Sequence, residues 1–314
     1  MVGRPHAATP GQVSGGLLLM GGGDRNCDAL RWFVAHAGHG HIVVLRASLS
    51  TDVANELYYR IGAVSSVETF VFQDRSAADD PKVLASLARA DGIFIAGGDQ
   101  ARYVRFWKGT PVAAALNAHL RAGKPLGGTS AGLAILGQYL YGAMDGGSIT
   151  SPEALADPLG PANTIETDFL DVALLRGIIT DTHFKERQRL GRLFAFIAKA
   201  QSLAQDRSVV LHGLGVDESA ALAVETDGSA RLYTTAADGS AWLVHGFAAQ
   251  PLAGQPLSVP AIVVTGIGVR SRFDLLRRTV DHPEFQRHYT IDHGVVSRVD
   301  EDISGQPRTT SESK

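Results

Sequence analysis

The sequence predicts an α/β protein built on a parallel sheet with helices on both faces, followed by a more antiparallel second half. Three observations carry that expectation. Short, nearly all-apolar runs alternate with helix-like segments, as strands buried on both faces do with their crossover helices. Several of these runs end in glycine-rich turns, at Gly21–Gly23, Gly97–Gly98 and Gly127–Gly128. In such sheets sites form at the carboxyl ends of the strands, so the three turns are expected to cluster in space. Beyond residue 208 the pattern changes to short strands separated by turns such as Thr226-Asp-Gly228 and Ala237-Asp-Gly239, as hairpins require.

Each element follows in order. Gly16–Met20 is an apolar run read as a buried strand, and Asp28–Ala37 as a helix. His41–Leu45 is the second strand, Asp52–Ile61 a helix, and Val67–Phe72 the third strand. Pro81–Ala90 places Leu84, Leu87 and Ala88 on one helical face. Gly92–Ala96 is the fourth strand, Pro111–Ala122 a helix, and Pro125–Gly128 a short strand entering a turn at Ser130. Pro152–Asp168 reads as a long loop. Leu170–Thr180 is an apolar run leading into Asp181-Thr-His-Phe184, and Phe184–Ala200 reads as a helix burying Leu190, Leu193, Phe194 and Ile197. Ser208–Leu211, Ala221–Val224, Ala230–Thr234, Ala241–Val244 and Ala261–Thr265 read as strands. No linker interrupts the chain, so residues 15–301 are expected to form one domain. Residues 1–14 are expected to be a loose arm, and 302–314 a disordered tail.

Composition narrows the function. Of 314 residues, 45% are hydrophobic and 19% charged, which suits a sizeable core. The net charge of -3 without a long run of one sign gives no footprint for nucleic acid. No stretch approaches the ~18 apolar residues of a membrane span, and Met1–Gly16 lacks the apolar centre of a secretory signal. Cys27 is the only cysteine, so no internal disulfide can form, and a reducing, cytoplasmic setting is the simplest expectation.

The chemistry is concentrated at Gly128-Thr-Ser-Ala-Gly132. Gly-x-Ser-x-Gly between a strand and a helix marks a sharp turn that exposes a serine nucleophile. A side chain at Gly128 or Gly132 would clash with neighbouring backbone in such a turn. The Ala131 N–H at the start of the following helix is placed to donate to a developing oxyanion, and the Gly97-Gly98 turn can supply a second donor. The bland alternative is a tight glycine turn with Ser130 as a helix cap. A serine nucleophile needs a base and an orienting carboxylate. Among 11 histidines, His183 stands out because it follows an apolar strand and neighbours Asp181, Arg187, Arg189 and Arg192. Asp181, Glu186, Asp217 and Glu218 are all candidates for the acid, and spacing does not choose between them.

Four motifs occur together: Gly127-Gly-Thr-Ser-Ala-Gly132, Gly97-Gly-Asp-Gln100, Asp181-x-His-Phe-x-x-Arg-x-Arg-Leu-Gly-Arg192 and Gly213-x-Gly-x-Asp-Glu218. Together they resemble the cyanophycinases, serine peptidases related to the aspartyl dipeptidase (peptidase E) group, over residues 16–275. The resemblance implies a flavodoxin-like sheet of the class I glutamine amidotransferase type. It implies Ser130 as nucleophile, His183 as base and Glu218 as third member, with Gly98 and Ala131 as oxyanion donors. Gln100, Asp181, Thr182, Arg187, Arg189 and Arg192 would line the substrate pocket. Thr182 stands where the family usually carries Gln, and Ala200–Arg207 adds length before Glu218.

Guanidinium groups suit a substrate built from aspartate, because they pair bidentately with carboxylates; Asp181 is expected to meet a substrate arginine. The expected activity is metal- and cofactor-independent hydrolysis of cyanophycin (multi-L-arginyl-poly-L-aspartate) or related β-aspartyl peptides, releasing β-Asp-Arg. A homodimer is expected at the level of the family. The rival readings are an aspartyl dipeptidase acting on short peptides and a non-catalytic binding protein. Neither a nucleotide-binding module nor Cys27 as nucleophile has the spacing it would need.

Overall fold

A computed structural model describes residues 1–4, 10–204, 206, 209–301 and 307–310. Five apolar runs form the parallel centre of a ten-stranded sheet: β1 (Leu17–Met20), β2 (His41–Arg46), β3 (Ser66–Val71), β4 (Gly92–Ile95) and β5 (Leu126–Thr129). Their spatial order is β3-β2-β4-β5-β1, all parallel. β1 thus lies at the end of the parallel set, beyond β5, whereas flavodoxin places its first strand between two other parallel strands. Side chains alternate between two cores, as the two-residue period of a strand demands. Leu17, Leu19, Val43, Leu45, Ile93 and Ile95 face one core, and Leu18, Met20, Ile42, Val44 and Phe94 the other.

Helix α1 (Cys27–His36) covers the second face with Leu30, Phe33 and Val34. Asn26 caps it by accepting from the N–H groups of Asp28 and Ala29, two donors with no partner inside the helix. Helices α2 (Pro81–Arg89), α3 (Gln100–Trp107) and α4 (Pro111–Arg121) cover the first face through Val83, Leu87, Trp107, Val112 and Leu116. After β5 the short helix α5 (Ala131–Ala134) follows.

The second half makes its own seven-stranded sheet. β6 (Ile178–Asp181) and β7 (His212–Val216) are parallel at one edge. β8 (Ala220–Val224) and β9 (Ser229–Thr234) then extend the first sheet, β8 pairing antiparallel with β1. β10 (Ala241–Val244), β11 (Val259–Ile267), β12 (Phe285–Asp292) and β13 (Val295–Glu301) continue the second sheet in antiparallel fashion from β7. Helix α6 (Leu190–Leu203) packs Leu193, Phe194, Phe196 and Ile197 against Val244, Ile262, Val264 and Tyr289.

Several expected boundaries move. α3 was not expected at all, and Asp99 caps it by accepting from Ala101 N. The expected loop 152–168 contains a helix, Ser151–Ala156, held by a Thr150/Glu153 capping box, and a two-residue strand, Ile165–Glu166. The Asp52–Ile61 helix is α-helical only through Asn55 and then widens into a π-turn. The helix expected from Phe184 begins at Leu190, because His183 (φ 47°) and Gln188 (φ 51°) are left-handed. The strand expected at Ser208–Leu211 starts at His212, with Ser208 itself outside the described residues. Val2–Gly3 pairs with β3, and Pro307–Thr310 with β13. The remainder of the expected arm at 5–9 and of the expected tail at 302–306 and 311–314 lies outside the described residues.

Candidate active site

The ends of β1, β4 and β5 bring the three glycine turns together around Ser130. The tightness of the elbow has a steric origin. A Cβ on Gly128 would lie 2.5 Å from the Gly132 carbonyl oxygen, and one on Gly132 would lie 2.1 Å from that of Ile95. Ser130 takes φ 52° and ψ -119° as the residue preceding α5. That conformation is costly for a non-glycine residue and persists only where surroundings impose it. Here its N–H donates to Met20 O at 3.0 Å, and its carbonyl accepts from Leu133 N and Ala134 N at 2.9 Å each.

His183 arrives from β6 and Glu218 from the turn between β7 and β8, where the chain crosses from the second sheet to the first. Ser130 Oγ lies 2.7 Å from His183 Nε2, and His183 Nδ1 lies 2.5 Å from Glu218 Oε1. A carboxylate only accepts, so Nδ1 carries the proton and Nε2 is left to accept from the serine hydroxyl. Backbone bonds hold the turn: His183 N donates to Gly21 O, Phe184 N to Val216 O, and Ser219 N to Gly22 O. Burial lowers the pKa of His183, an effect that Glu218 opposes and Arg187 and Arg189 reinforce. The ring is therefore neutral at pH 7, as a proton acceptor must be.

Asp217, the neighbour of Glu218, points the other way and is fully buried. Its carboxylate accepts from Lys185 N, Ser240 N and Trp242 Nε1, all at 3.0 Å. It therefore ties the His183 turn to β10. Burial raises its pKa to about 6.

A cleft of about 430 Å³ opens in front of Ser130 and His183, lined by Gly98, Gln100, Thr182, Arg187 and Arg189 among the residues singled out in the sequence. Asp99, Arg105 and Ser148 also line it. Asp99 stands in the Gly97-Gly-Asp-Gln100 motif and Ser148 in a Gly-Gly-Ser run, both loop signals in the sequence, whereas Arg105 carries none.

Asp181 and Arg192 are not at the cleft wall, contrary to their expected role as pocket-lining residues. They are 2% and 1% exposed and grip each other. Arg192 Nε donates to Asp181 Oδ2 at 2.7 Å and Nη2 to Oδ1 at 2.5 Å, and Arg192 Nη1 reaches Ser148 Oγ and Ile149 O. Tyr141 and Phe196 flank the guanidinium. The physical reason is closure: α6 lays Arg192 directly beneath the end of β6, and a charge buried there needs its counter-ion. Arg189 bridges the two environments. It lines the cleft yet donates to Thr182 O at 2.7 Å and Ser148 Oγ at 3.2 Å, and burial lowers its pKa to about 10, so it stays cationic.

A hydroxyl, an imidazole and a carboxylate in hydrogen-bonded series at the carboxyl ends of parallel strands, beside an arginine-lined cleft, are the parts of a hydrolase of α/β architecture. Residues 17–231 match Peptidase family S51, and the chain belongs to that family. It is 32% identical to a cyanophycinase of Thermosynechococcus vestitus over 241 residues, 73% of this chain and 69% of the relative. It is 29% identical to one of Trichormus variabilis over 287 residues, 87% and 89% of the two chains. The solved structure of a peptidase from an acI-B1 actinobacterium is similar in fold, with a TM-score of 0.54 at 15% identity, covering 84% of this chain and 98% of its own. Among the described residues no helix is long and apolar enough to cross a membrane, and no group of three or more His, Cys, Asp or Glu could hold a metal ion.

Proposed function

We propose that this chain is a serine peptidase that hydrolyses cyanophycin or related β-aspartyl peptides through an acyl-enzyme. The observation that carries the reading is the series Ser130 Oγ–His183 Nε2 at 2.7 Å and His183 Nδ1–Glu218 Oε1 at 2.5 Å. Ser130 attacks the scissile carbonyl as His183 takes its proton. His183 then protonates the leaving amine, and water repeats the sequence to release the acyl group. Glu218 fixes the tautomer and stabilises the imidazolium. The N–H groups of Gly98 and Ala131 receive the developing oxyanion, Ala131 standing at the first position of a helix, where no intrahelical acceptor is available. Gln100, Thr182, Arg187 and Arg189 contact the substrate, and Asp181 with Arg192 supports them from below. The cyanophycinase relatives support the polymer as substrate.

The shorter-peptide alternative has an observation of its own: Arg105, Arg187 and Arg189 give the cleft three guanidinium groups against the one carboxylate of Asp99, which suits free carboxylates. The test is incubation with insoluble cyanophycin and with α- and β-aspartyl dipeptides, products read by mass spectrometry. Ser130→Ala is expected to lower turnover by about 10⁴-fold or more. A Ser130→Ala protein of normal activity overturns the mechanism, and wild-type hydrolysis of dipeptides alone moves the substrate to the shorter class.

A further inference from the structure

The arginines of the cleft are unequally engaged. Arg189 is spent on the fold: Nη1 donates to Thr182 O at 2.7 Å and lies 3.6 Å from Asp181 Oδ1, and Nη2 donates to Ser148 Oγ at 3.2 Å. Arg105 and Arg187 are exposed. Among the described residues neither forms an ion pair, and the two side chains together make one hydrogen bond, from Arg105 Nη2 to Met144 O at 3.2 Å. The carboxylates nearby are placed elsewhere. Asp99 Oδ1 caps α3 by accepting from Ala101 N at 2.9 Å, and Oδ2 lies 4.0 Å from Arg102 Nε. Glu186 Oε2 accepts from Glu218 N at 3.0 Å.

Two guanidinium groups without a counter-ion thus border the space in front of Ser130 and His183. Ala101 and Arg105, four residues apart on α3 and so on one helical face, both line the cleft, and Arg187 lines it from the turn after His183. The bond to Met144 O holds the Arg105 head next to Ala143, a further residue of the cleft wall. The volume of about 430 Å³ is within the range of about 300–1,000 Å³ common for small-ligand sites, so the nucleophile and both guanidinium groups border one ligand-sized space. Guanidinium pairs bidentately with carboxylate, and the proposed substrate carries a matching group. In β-Asp-Arg the arginine is joined through its α-amino nitrogen to the aspartate side-chain carboxyl, which leaves its own α-carboxylate free. Every unit of multi-L-arginyl-poly-L-aspartate therefore presents one ionised carboxylate on its branch, away from the main-chain bond that is hydrolysed.

We propose that Arg105 is a specificity-determining residue that, together with Arg187, binds the free α-carboxylate of an arginyl branch of the substrate. The proposal rests on the peptidase reading above. It adds the substrate group that the cleft recognises and a recognising residue that lies outside the four sequence motifs.

The test uses a two-unit β-Asp-Arg peptide and three analogues, in each of which a neutral carboxamide replaces one carboxylate: that of either arginyl branch, or that of the main-chain terminus. Affinities are measured by calorimetry on the full chain carrying Ser130→Ala, so that binding is read without turnover. One of the branch carboxamides is expected to bind about tenfold more weakly than the parent peptide, the loss of one charge-assisted hydrogen bond. With Arg105→Gln added, that penalty is expected to shrink to about threefold or less, the remainder being carried by Arg187. Equal binding of the parent and both branch carboxamides overturns the proposal. A branch penalty unchanged by Arg105→Gln overturns the assignment to Arg105, and a penalty confined to the main-chain carboxamide overturns the assignment to the branch. Failure of the peptidase reading shows separately, as absent wild-type hydrolysis and absent labelling of Ser130 by a fluorophosphonate.

Discussion

Gly22 and the imidazole of His183 are in direct opposition: a Cβ on residue 22 would lie 2.3 Å from ring Cε1 and 2.5 Å from Nε2. Residue 22 also takes φ 113°, which L side chains rarely adopt. Gly22 therefore forms one wall of the slot that holds the ring at Ser130. Gly22→Ala is expected to cost roughly 1–3 kcal/mol in backbone strain and to push the ring off its line to Ser130. A displacement near 1 Å costs about 10²-fold in rate, so activity should fall far more than the thermal midpoint. Steady-state kinetics and a melting curve on one preparation decide it. Undiminished kcat/KM would show that the ring does not depend on this wall.

The sequence made the parallel centre legible because its strands are apolar on both faces, and Leu17–Met20 or His41–Arg46 admit no other comfortable surroundings. The elbow was legible for a different reason: its glycines are fixed by close approach, which leaves a spacing in the chain. Other features leave no such trace. The left-handed backbone of His183 is held by the bonds that His183 N and Phe184 N donate to the carbonyls of Gly21 and Val216, both remote in sequence, so the local sequence reads as a helix starting at Phe184. Asp217 and Glu218 are adjacent carboxylates whose fates diverge because successive side chains leave a strand end on opposite sides. Asp181 and Arg192 read as site charges, and only the packing of α6 shows that they neutralise each other below the cleft.

That buried pair makes a stability prediction. Removing Arg192 leaves the buried Asp181 with only Arg189 Nη1, at 3.6 Å, as a cationic neighbour; losses of about 3–5 kcal/mol are typical when a buried pair is broken, and Arg189 should hold the loss towards the lower end. Arg192→Leu should lower the denaturation midpoint accordingly, and adding Asp181→Leu should recover part of the loss because the orphaned carboxylate is gone. Urea titrations of the two single variants and the double variant form the cycle. If Arg192→Leu instead raised KM for acidic peptides at unchanged stability, Arg192 would be a substrate contact after all.

Asp217 links the site to pH through stability. Its folded-state pKa is raised to about 6 by burial, against an unfolded value of about 3.9. A raised carboxyl pKa means that the folded state holds the proton more tightly. The favourable contribution is thus full below about pH 4 and is lost as pH rises through about 6. The span corresponds to ~3 kcal/mol. Asp217→Asn cannot ionise, so the stability of wild type relative to this variant should fall by about that amount between pH 4 and pH 7. A difference that stays constant across the window would mean that Asp217 is ionised throughout. Activity provides a second readout, because the variant keeps the charge of Glu218 but loosens the bond to Lys185 N that steadies the His183 turn.

His183 itself should set the acid side of the activity profile. Burial lowers its pKa from the ordinary value of 6.5, with Glu218 opposing and Arg187 and Arg189 assisting. The ring must be neutral to accept the Ser130 proton, so kcat/KM should hold through neutrality and fall in acid with a midpoint below 6.5. Because kcat/KM reports the free enzyme, substitutions around the ring shift this midpoint with a sign fixed by charge. Arg187→Gln removes a repulsive cation and should raise the midpoint. Arg187 is exposed, so added salt should shrink that difference. Glu218→Gln removes the anion that favours the imidazolium, so it should lower the midpoint further and cut the rate by about 10⁴-fold through loss of the correct tautomer. Opposite displacements by the two variants are the diagnostic outcome. A common displacement, or an acid limb centred above 6.5, would assign the titration to a group other than His183.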